Sequence, residues 1–282
     1  MLHAEYHQAY SLNYAHLPTI GTIDPAIRTN ESPQSRTLDV ANKKWDVMQN
    51  NEPDLFLHEE ILLLALKDKT GTIDWKAGHF GFALGGAMLT ELLLAGCIEV
   101  EEGKKPFVNV VDDAPLGDPL LDESLDKIAT AKRRKQLSHW LPVLAHTPKL
   151  MHRVAAELCR KDVLKEDEGK VLFFFKRKIY PELNPEPERR LIERLREAIF
   201  TDTAEVDSRT MLLISLANAV GLLNIPFDAK ELKKRKDRIE HIVTNEQFGE
   251  AAMQAIRAAQ AAAMAISLMM STNTMMMANI NR

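Results

Sequence analysis

Two cysteines in 282 residues, Cys97 and Cys159, give neither a disulfide framework nor the paired spacing of a metal site. Both sit beside apolar residues and read as buried thiols in a reducing compartment. The amino terminus lacks the basic start and apolar run of a secretory signal. No uninterrupted apolar run reaches the ~20 residues that a membrane-spanning helix needs. A glycine-rich phosphate loop, GxSxG, HExxH and CxxC are all missing. These absences remove the commonest phosphoryl-transfer, serine-hydrolase, zinc-protease and thiol-redox chemistries. The expectation is a cytoplasmic non-enzyme with no cofactor and no metal. An excess of positive charge is also missing. The formal net charge is -4 and the pI about 6.2, which argues against a nucleic-acid partner held by bulk charge.

What is present is ordinary globular composition, 45% hydrophobic and 27% charged. The chain is organised around Leu55 to Gly96, two apolar segments separated by a loop of glycine and small polar residues. The first, Phe56 to Leu66, sets Leu57, Ile61, Leu62, Leu64 and Ala65 on a stripe broad enough to be buried against several partners. Lys67 to Gly71 supplies late cations and a glycine, the chemistry of a helix stop. The second helix, roughly Ala83 to Ala95, is apolar almost all round and ends at Gly96. Before this pair, residues 1–52 carry turn chemistry without a sustained period and read as a disordered or weakly structured leader. Residues 53–267 form the expected domain, and 268–282 a flexible methionine-rich tail.

After Gly96, Ile98 and Val100 alternate with acids, Gly103-Lys104 turns, and Phe107 to Val111 runs as a second strand. The same helix, turn and hairpin outline returns at Met151 to Tyr180. Setting Gly96 against Asp162 puts Gly103 against Gly169 without a gap, a weak internal repeat. The outline predicts a mainly α fold, a compact helical bundle wrapped by amphipathic helices, with short winged-helix-like β-hairpins. A winged helix raises DNA recognition, but the helix that would enter the groove offers Met88, Leu89, Leu92, Leu93 and Leu94, with Glu91 its only charge. It is core.

Between the two units, Asp118-Pro119 opens an amphipathic helix through Leu120, Leu121 and Leu125. Lys132-Arg133-Arg134-Lys135 is a basic run, and Trp140 closes the segment. Asp112, Asp113, Asp118, Asp122 and Glu123 read as helix caps and not as metal ligands, because no histidine or fixed ligand repeat accompanies them. The second half is helical: Pro185 to Phe200 with Leu191, Ile192, Leu195 and Ile199 inward, then Val206 to Leu223 behind an Asp207/Ser208 cap. Lys230 to Arg238 reads as a solvated basic face, and Phe248 to Met270 as an alanine- and methionine-rich helix. His58, His139 and His146 read as partly buried or surface residues and not as bases.

One surface feature stands apart. Leu172-Phe173-Phe174-Phe175 runs directly into Lys176-Arg177-Lys178 on the second hairpin. Neighbouring strand residues face opposite sides, so these rings cannot all enter one core. Either the strand is sandwiched between helices, or the hairpin is an apolar finger ringed by cations. In the second case three cations near an anionic leaflet supply ~3 kcal/mol. One or two inserted phenylalanines add roughly 1.5–3 kcal/mol each.

Four blocks carry a resemblance: LFLHEEILLLALKDKTGTI, MLTELLLAG, DAPLGDPLLDESL and VDSRTMLLISLANAVGLL. In this order and spacing, from about Pro53 to about Ile266, the chain resembles the Golgi phosphoprotein 3 family, and looks most like its prokaryotic members. The resemblance implies a compact helical domain on the cytoplasmic face of a membrane that binds phosphatidylinositol 4-phosphate. Eukaryotic members also gather glycosyltransferase tails and coatomer. Their lipid pocket uses a loop tryptophan, an arginine before the MLxEL helix, and two basic residues three apart on a later helix. Trp75 matches the tryptophan, with a capping aromatic over the bundle as the alternative role. Gly85 falls where the arginine is expected, and Pro148 and Met151 where the basic pair is expected. Lys149, His152 and Arg153 stand beside those positions as substitutes, or form an ordinary basic helix start. Phe173, Phe174, Phe175, Lys176, Arg177 and Lys178 match the hairpin that family members use for membrane insertion or self-association. The leader has scattered Arg28, Arg36, Lys43 and Lys44 in place of the coatomer-binding arginine cluster. The implied partners are an anionic lipid and a second copy of the chain; the alternative function is a self-associating scaffold without lipid specificity.

Overall fold

The structure, a computed structural model, describes residues 55–67, 70–101, 106–171, 175–202, 205–244 and 264, with side chains at 170, 171, 175 and 176 excepted. The expected leader, the methionine-rich tail and, apart from Met264, the helix expected over Phe248 to Met270 lie outside the described residues.

The described chain is mainly helical with small antiparallel sheets. Helix α1 (Leu57–Ala65) is buried at every position. It ends one residue before the expected Leu66. Leu66 turns extended, and β1 (Leu66–Lys67) pairs with β2 (Thr72–Ile73), so Gly71 serves the hairpin turn and not a helix cap. Helix α2 (Phe80–Leu94) starts three residues before the expected Ala83, because Phe80 and Phe82 also pack on the core. It packs against α1 and against the helices of Pro119–Ala129, Leu137–Ala145 and Ser208–Ala219. A helix that is apolar all round needs such company. Each leucine fully buried there contributes roughly 1.5–3 kcal/mol before chain entropy is charged.

Gly96 (φ 72) turns the chain into β3 (Ile98–Val100) and β4 (Phe107–Val110), and β5 (Lys135–Gln136) adds to β4 as the third strand. Helix α3 (Pro119–Ala129) begins on Asp118, whose carboxylate accepts from the Leu120 and Leu121 N–H groups at 2.9 Å each. Two other acids of the expected capping group also bond backbone amides: Asp112 accepts from Ala114, and Asp122 from Leu116. Helices α4 (Leu137–Ala145) and α5 (Leu150–Arg160) follow, then the hairpin of β6 (Asp167–Val171) and β7 (Phe175–Ile179). Asp162, matched to Gly96 by sequence, adopts the same left-handed backbone at φ 57.

Helices α6 (Glu186–Phe200) and α7 (Ser208–Ala219) close over α1. Helix α7 ends at Ala219, short of the expected Leu223, because Gly221 (φ 75) turns the chain into a 3-10 helix over Leu222–Asn224. The basic stretch forms α8 (Ala229–Lys234) and α9 (Lys236–Thr244), with Lys230, Lys233, Lys234 and Lys236 exposed as expected of a solvated face. Leu232, Ile239 and Ile242 are buried, and Arg235 bonds the Ile199 and Thr201 carbonyls.

Three consecutive polar residues on α1 tie this arrangement together, and all three are buried. His58, expected to be partly buried at most, is fully enclosed, with Nε2 3.5 Å from the Asp118 carboxylate at the start of α3. That separation is too long for a tight hydrogen bond. Glu59 takes Lys161 at 2.6 Å, just beyond α5, and accepts from the Phe56 N–H. Glu60 faces Arg194 of α6 at 2.7 Å and Arg209 of α7 at 3.6 Å. Arg209 also reaches Glu91 of α2 at 2.9 Å and the Leu55 carbonyl.

Candidate functional site

Trp75 sits on a tight turn. The Asp74 carboxylate accepts from the Lys76 N–H at 2.8 Å, and the Asp74 N–H donates to the Ala65 carbonyl at 2.8 Å. Ala77 is wholly buried, so the turn is pinned from below while the indole stands 80% exposed. Among the described residues it covers little of the core, which does not favour the alternative role as a cap over the bundle. Lys76 is exposed and donates to the Asn224 carbonyl at 3.0 Å, which fixes the far side of the turn.

Lys149 precedes α5 in a left-handed conformation (φ 56) and is exposed. The Leu150 N–H donates to the Thr147 carbonyl at 3.1 Å, but no side chain caps α5 and no acid occupies its first turn. Its next amides and dipole therefore present a positive end. His152 and Arg153 are both partly committed elsewhere. The His152 ring nitrogen Nδ1 lies 2.9 Å from the Tyr180 hydroxyl. Arg153 bridges Glu123 at 2.6 Å, and Glu123 also holds Lys127 at 2.6 Å. The Arg153 and Lys127 hydrogen bonds hold the Glu123 carboxyl below the usual range.

Tyr180 joins these pieces. Its N–H donates to the Gly71 carbonyl at 2.8 Å, at the head of the loop that carries Trp75. Gly71 lies so close that an added Cβ would fall 2.0 Å from the Pro181 nitrogen. The Trp75 loop, the base of the second hairpin and the first turn of α5 are thus brought together, and Lys149, His152 and Arg153 share that turn. Burial, then the Glu166 charge, pushes the Tyr180 hydroxyl up, so it stays a neutral partner for His152.

On the hairpin the register pairs Glu168 with Lys178, Gly169 with Arg177 and Val171 with Phe175. Phe173 and Phe174 lie outside the described residues, and Phe175 and Lys176 are described by backbone alone. Arg177 and Lys178 are exposed, but Lys178 is paired with Glu166 at 2.7 Å.

Gly85 is buried where α2 crosses α4. A Cβ there would stand 2.7 Å from the Ala145 nitrogen and 3.0 Å from the Leu141 carbonyl oxygen. No arginine fits at that position. Pro148 is exposed and Met151 half-buried, so neither expected basic position carries a charge. Sequence reasoning missed Tyr180 as the joint, since nothing local distinguishes it from another strand-end aromatic. It also missed Lys76, which its place beside Trp75 could have flagged.

Among the described residues no group of His, Cys, Asp or Glu is placed to hold a metal, and no helix is long and apolar enough to cross a membrane. The fold is a helical domain with small antiparallel hairpins, and Tyr180 links Gly71, at the head of the Trp75 loop, to His152 in the first turn of α5. The family model described as Golgi phosphoprotein 3 (GPP34) matches residues 57–259, and the chain belongs to that family. It is similar to vacuolar protein sorting-associated protein 74 of Eremothecium gossypii, at 26% identity over 216 residues. That alignment covers 65% of this chain and 65% of the relative.

Proposed function

We propose that the chain is a peripheral membrane protein that binds anionic lipid headgroups from the cytoplasmic side. The observation that carries the reading is the joint at Tyr180. It sets an 80% exposed indole and an uncapped, cation-flanked helix start on connected pieces of backbone. A phosphate seated at the α5 start meets free amides and Lys149, the ordinary chemistry of anion binding at a helix terminus. Trp75 suits the interface, where an amphipathic ring keeps one edge wet. Phe173, Phe174 and Phe175 enter the bilayer, and Lys176 and Arg177 meet the leaflet, while Lys178 is paired with Glu166. Preference for phosphatidylinositol 4-phosphate comes from the family. Without an arginine at Gly85 a planar guanidinium fork is lost there, so headgroup selectivity is weaker than membrane attraction. The fold reading that goes with it is a helical bundle with winged-helix-like hairpins, and no catalytic role is assigned.

The second reading, a self-associating scaffold, rests on the same hairpin docking into another copy. Co-sedimentation with phosphatidylcholine vesicles, with and without phosphatidylserine or phosphatidylinositol 4-phosphate, separates the two. Trp75→Ala and Lys149→Glu should each cut pelleting on anionic vesicles several-fold, and Phe174→Asp should abolish it. Unchanged pelleting by all three variants, or a Phe174→Asp effect seen only as a change in sedimentation mass, sinks the lipid reading.

A further inference from the structure

The basic run before α4 is not used by the headgroup site, and it borders a groove of about 560 Å³ between β4 and the C-terminal end of α3. Val108, Val110 and Ile128 give the groove an apolar floor, and Trp140 forms part of its wall. Arg133 and Lys135 are exposed on the rim. Lys135 is held in place by β5, where it pairs with Val108. Arg134 also lines the groove but is committed, bridging Glu101 and lying 5.0 Å over the Phe107 ring. Among the described residues Arg133 and Lys135 have no ion-pair partner. Asp113 is the carboxylate in the lining, so the mouth carries a net positive charge.

Trp140 adds a second feature. It is only 5% exposed, and its indole N–H has no acceptor among the described residues. A buried donor ordinarily finds one. In this structure that N–H is closed off from solvent, so Trp140 offers the groove its ring and not a donor. The volume lies in the range of small-molecule sites.

We propose that this groove binds a small amphiphilic anion. The apolar body lies on Val108, Val110 and Ile128, and a carboxylate, sulfonate or phosphate stays at the mouth against Arg133 and Lys135. The site shares no residue with the Trp75 loop or the start of α5, and the proposal stands without the lipid reading.

The test uses the full chain and two fluorescent probes of nearly equal shape, anionic 8-anilino-1-naphthalenesulfonate and neutral N-phenyl-1-naphthylamine. The expected result is one sulfonate probe bound per chain, in competition with a medium-chain fatty acid. The double variant Arg133→Glu/Lys135→Glu, exposed and so neutral to folding, should weaken the sulfonate about tenfold at low salt. It should change the neutral probe by less than about twofold. Trp75→Ala should change nothing. Equal sulfonate affinity in the charge-reversed variant overturns the proposal, as does neutral-probe binding as tight as the sulfonate. Loss of binding in Trp75→Ala overturns it too, by placing the probe at the headgroup site.

Discussion

Arg209 of α7 shows how charge is handled in this protein. Burial works against its guanidinium, yet Glu91 and Glu60 hold it charged and push its pKa up. In return, burial pushes the Glu60 carboxyl up, while Arg209 and Arg194 pull against that rise. Such a network contributes less to stability than its ion pairs suggest, because desolvation offsets most of the attraction. Breaking it is another matter. Arg209→Met leaves Glu60 and Glu91 facing each other without that shared cation, and should cost about 3–5 kcal/mol in urea unfolding. Adding Glu91→Leu to that variant should recover part of the loss. If the double variant is no better than the single, the cost lies in packing and not in stranded charge. The sequence pattern puts α1 in the core but assigns no partner to Glu59 or Glu60. What decides their role is which cations reach them, and Arg194 and Arg209 stand more than a hundred positions away.

At the scale of elements, two glycines show where backbone must pass backbone. Gly85→Ala would press its Cβ against the α4 backbone and should destabilise by about 1–3 kcal/mol. Gly85→Arg, which puts the family's arginine at this position, should unfold or strongly destabilise the domain instead of raising headgroup affinity. A folded Gly85→Arg protein with tighter vesicle binding would show that α2 and α4 part more easily than their contact implies. Gly71→Ala carries both an unfavourable φ of +58 and a collision with Pro181. It should free the Trp75 loop from the hairpin base, reducing thermal stability and vesicle pelleting together. Many of these elements could be read from local pattern: Asp118 before α3, Asp207 before α7, and the turn at Gly96 all follow from cap and glycine chemistry. The β1–β2 pairing and the split of the basic stretch into α8 and α9 could not. Two-residue strands have no period, and Arg235 is drawn inward by carbonyls of a distant helix end.

For the whole molecule, the pH dependence of stability follows from opposing carboxylates. Burial works against the Asp118 carboxylate, but the His58 ring and the Leu121 and Leu120 N–H groups outweigh it and hold its pKa low. Glu123 is held low by Arg153 and Lys127. A lowered folded pKa gives stability that is present above the unfolded value and lost as pH falls through the folded one. Glu60 has the opposite sign, so its contribution is full at low pH and declines as pH rises through its raised folded value. Thermal melts should therefore fall steeply only below roughly pH 4, where carboxylates take up protons. Asp118→Asn should start lower at neutral pH and fall less on acidification; parallel curves for variant and parent would remove Asp118 from the account. Vesicle pelleting should weaken as salt rises, since exposed cations are screened within about 8 Å at physiological ionic strength.

The sequence by itself determined a mainly helical chain with an apolar central pair of helices, its main caps and turns, and its family, because these rest on short-range pattern and on blocks of fixed order. The tertiary structure alone decided that Trp75 stands outward, that Arg153 is tied to Glu123, and that Gly85 is a crossing point with no space for a side chain. Each depends on which surfaces meet when helices pack, and that is set by contacts between residues far apart in the chain. The meeting of the Trp75 loop, the hairpin base and α5 at Tyr180 is of the same kind.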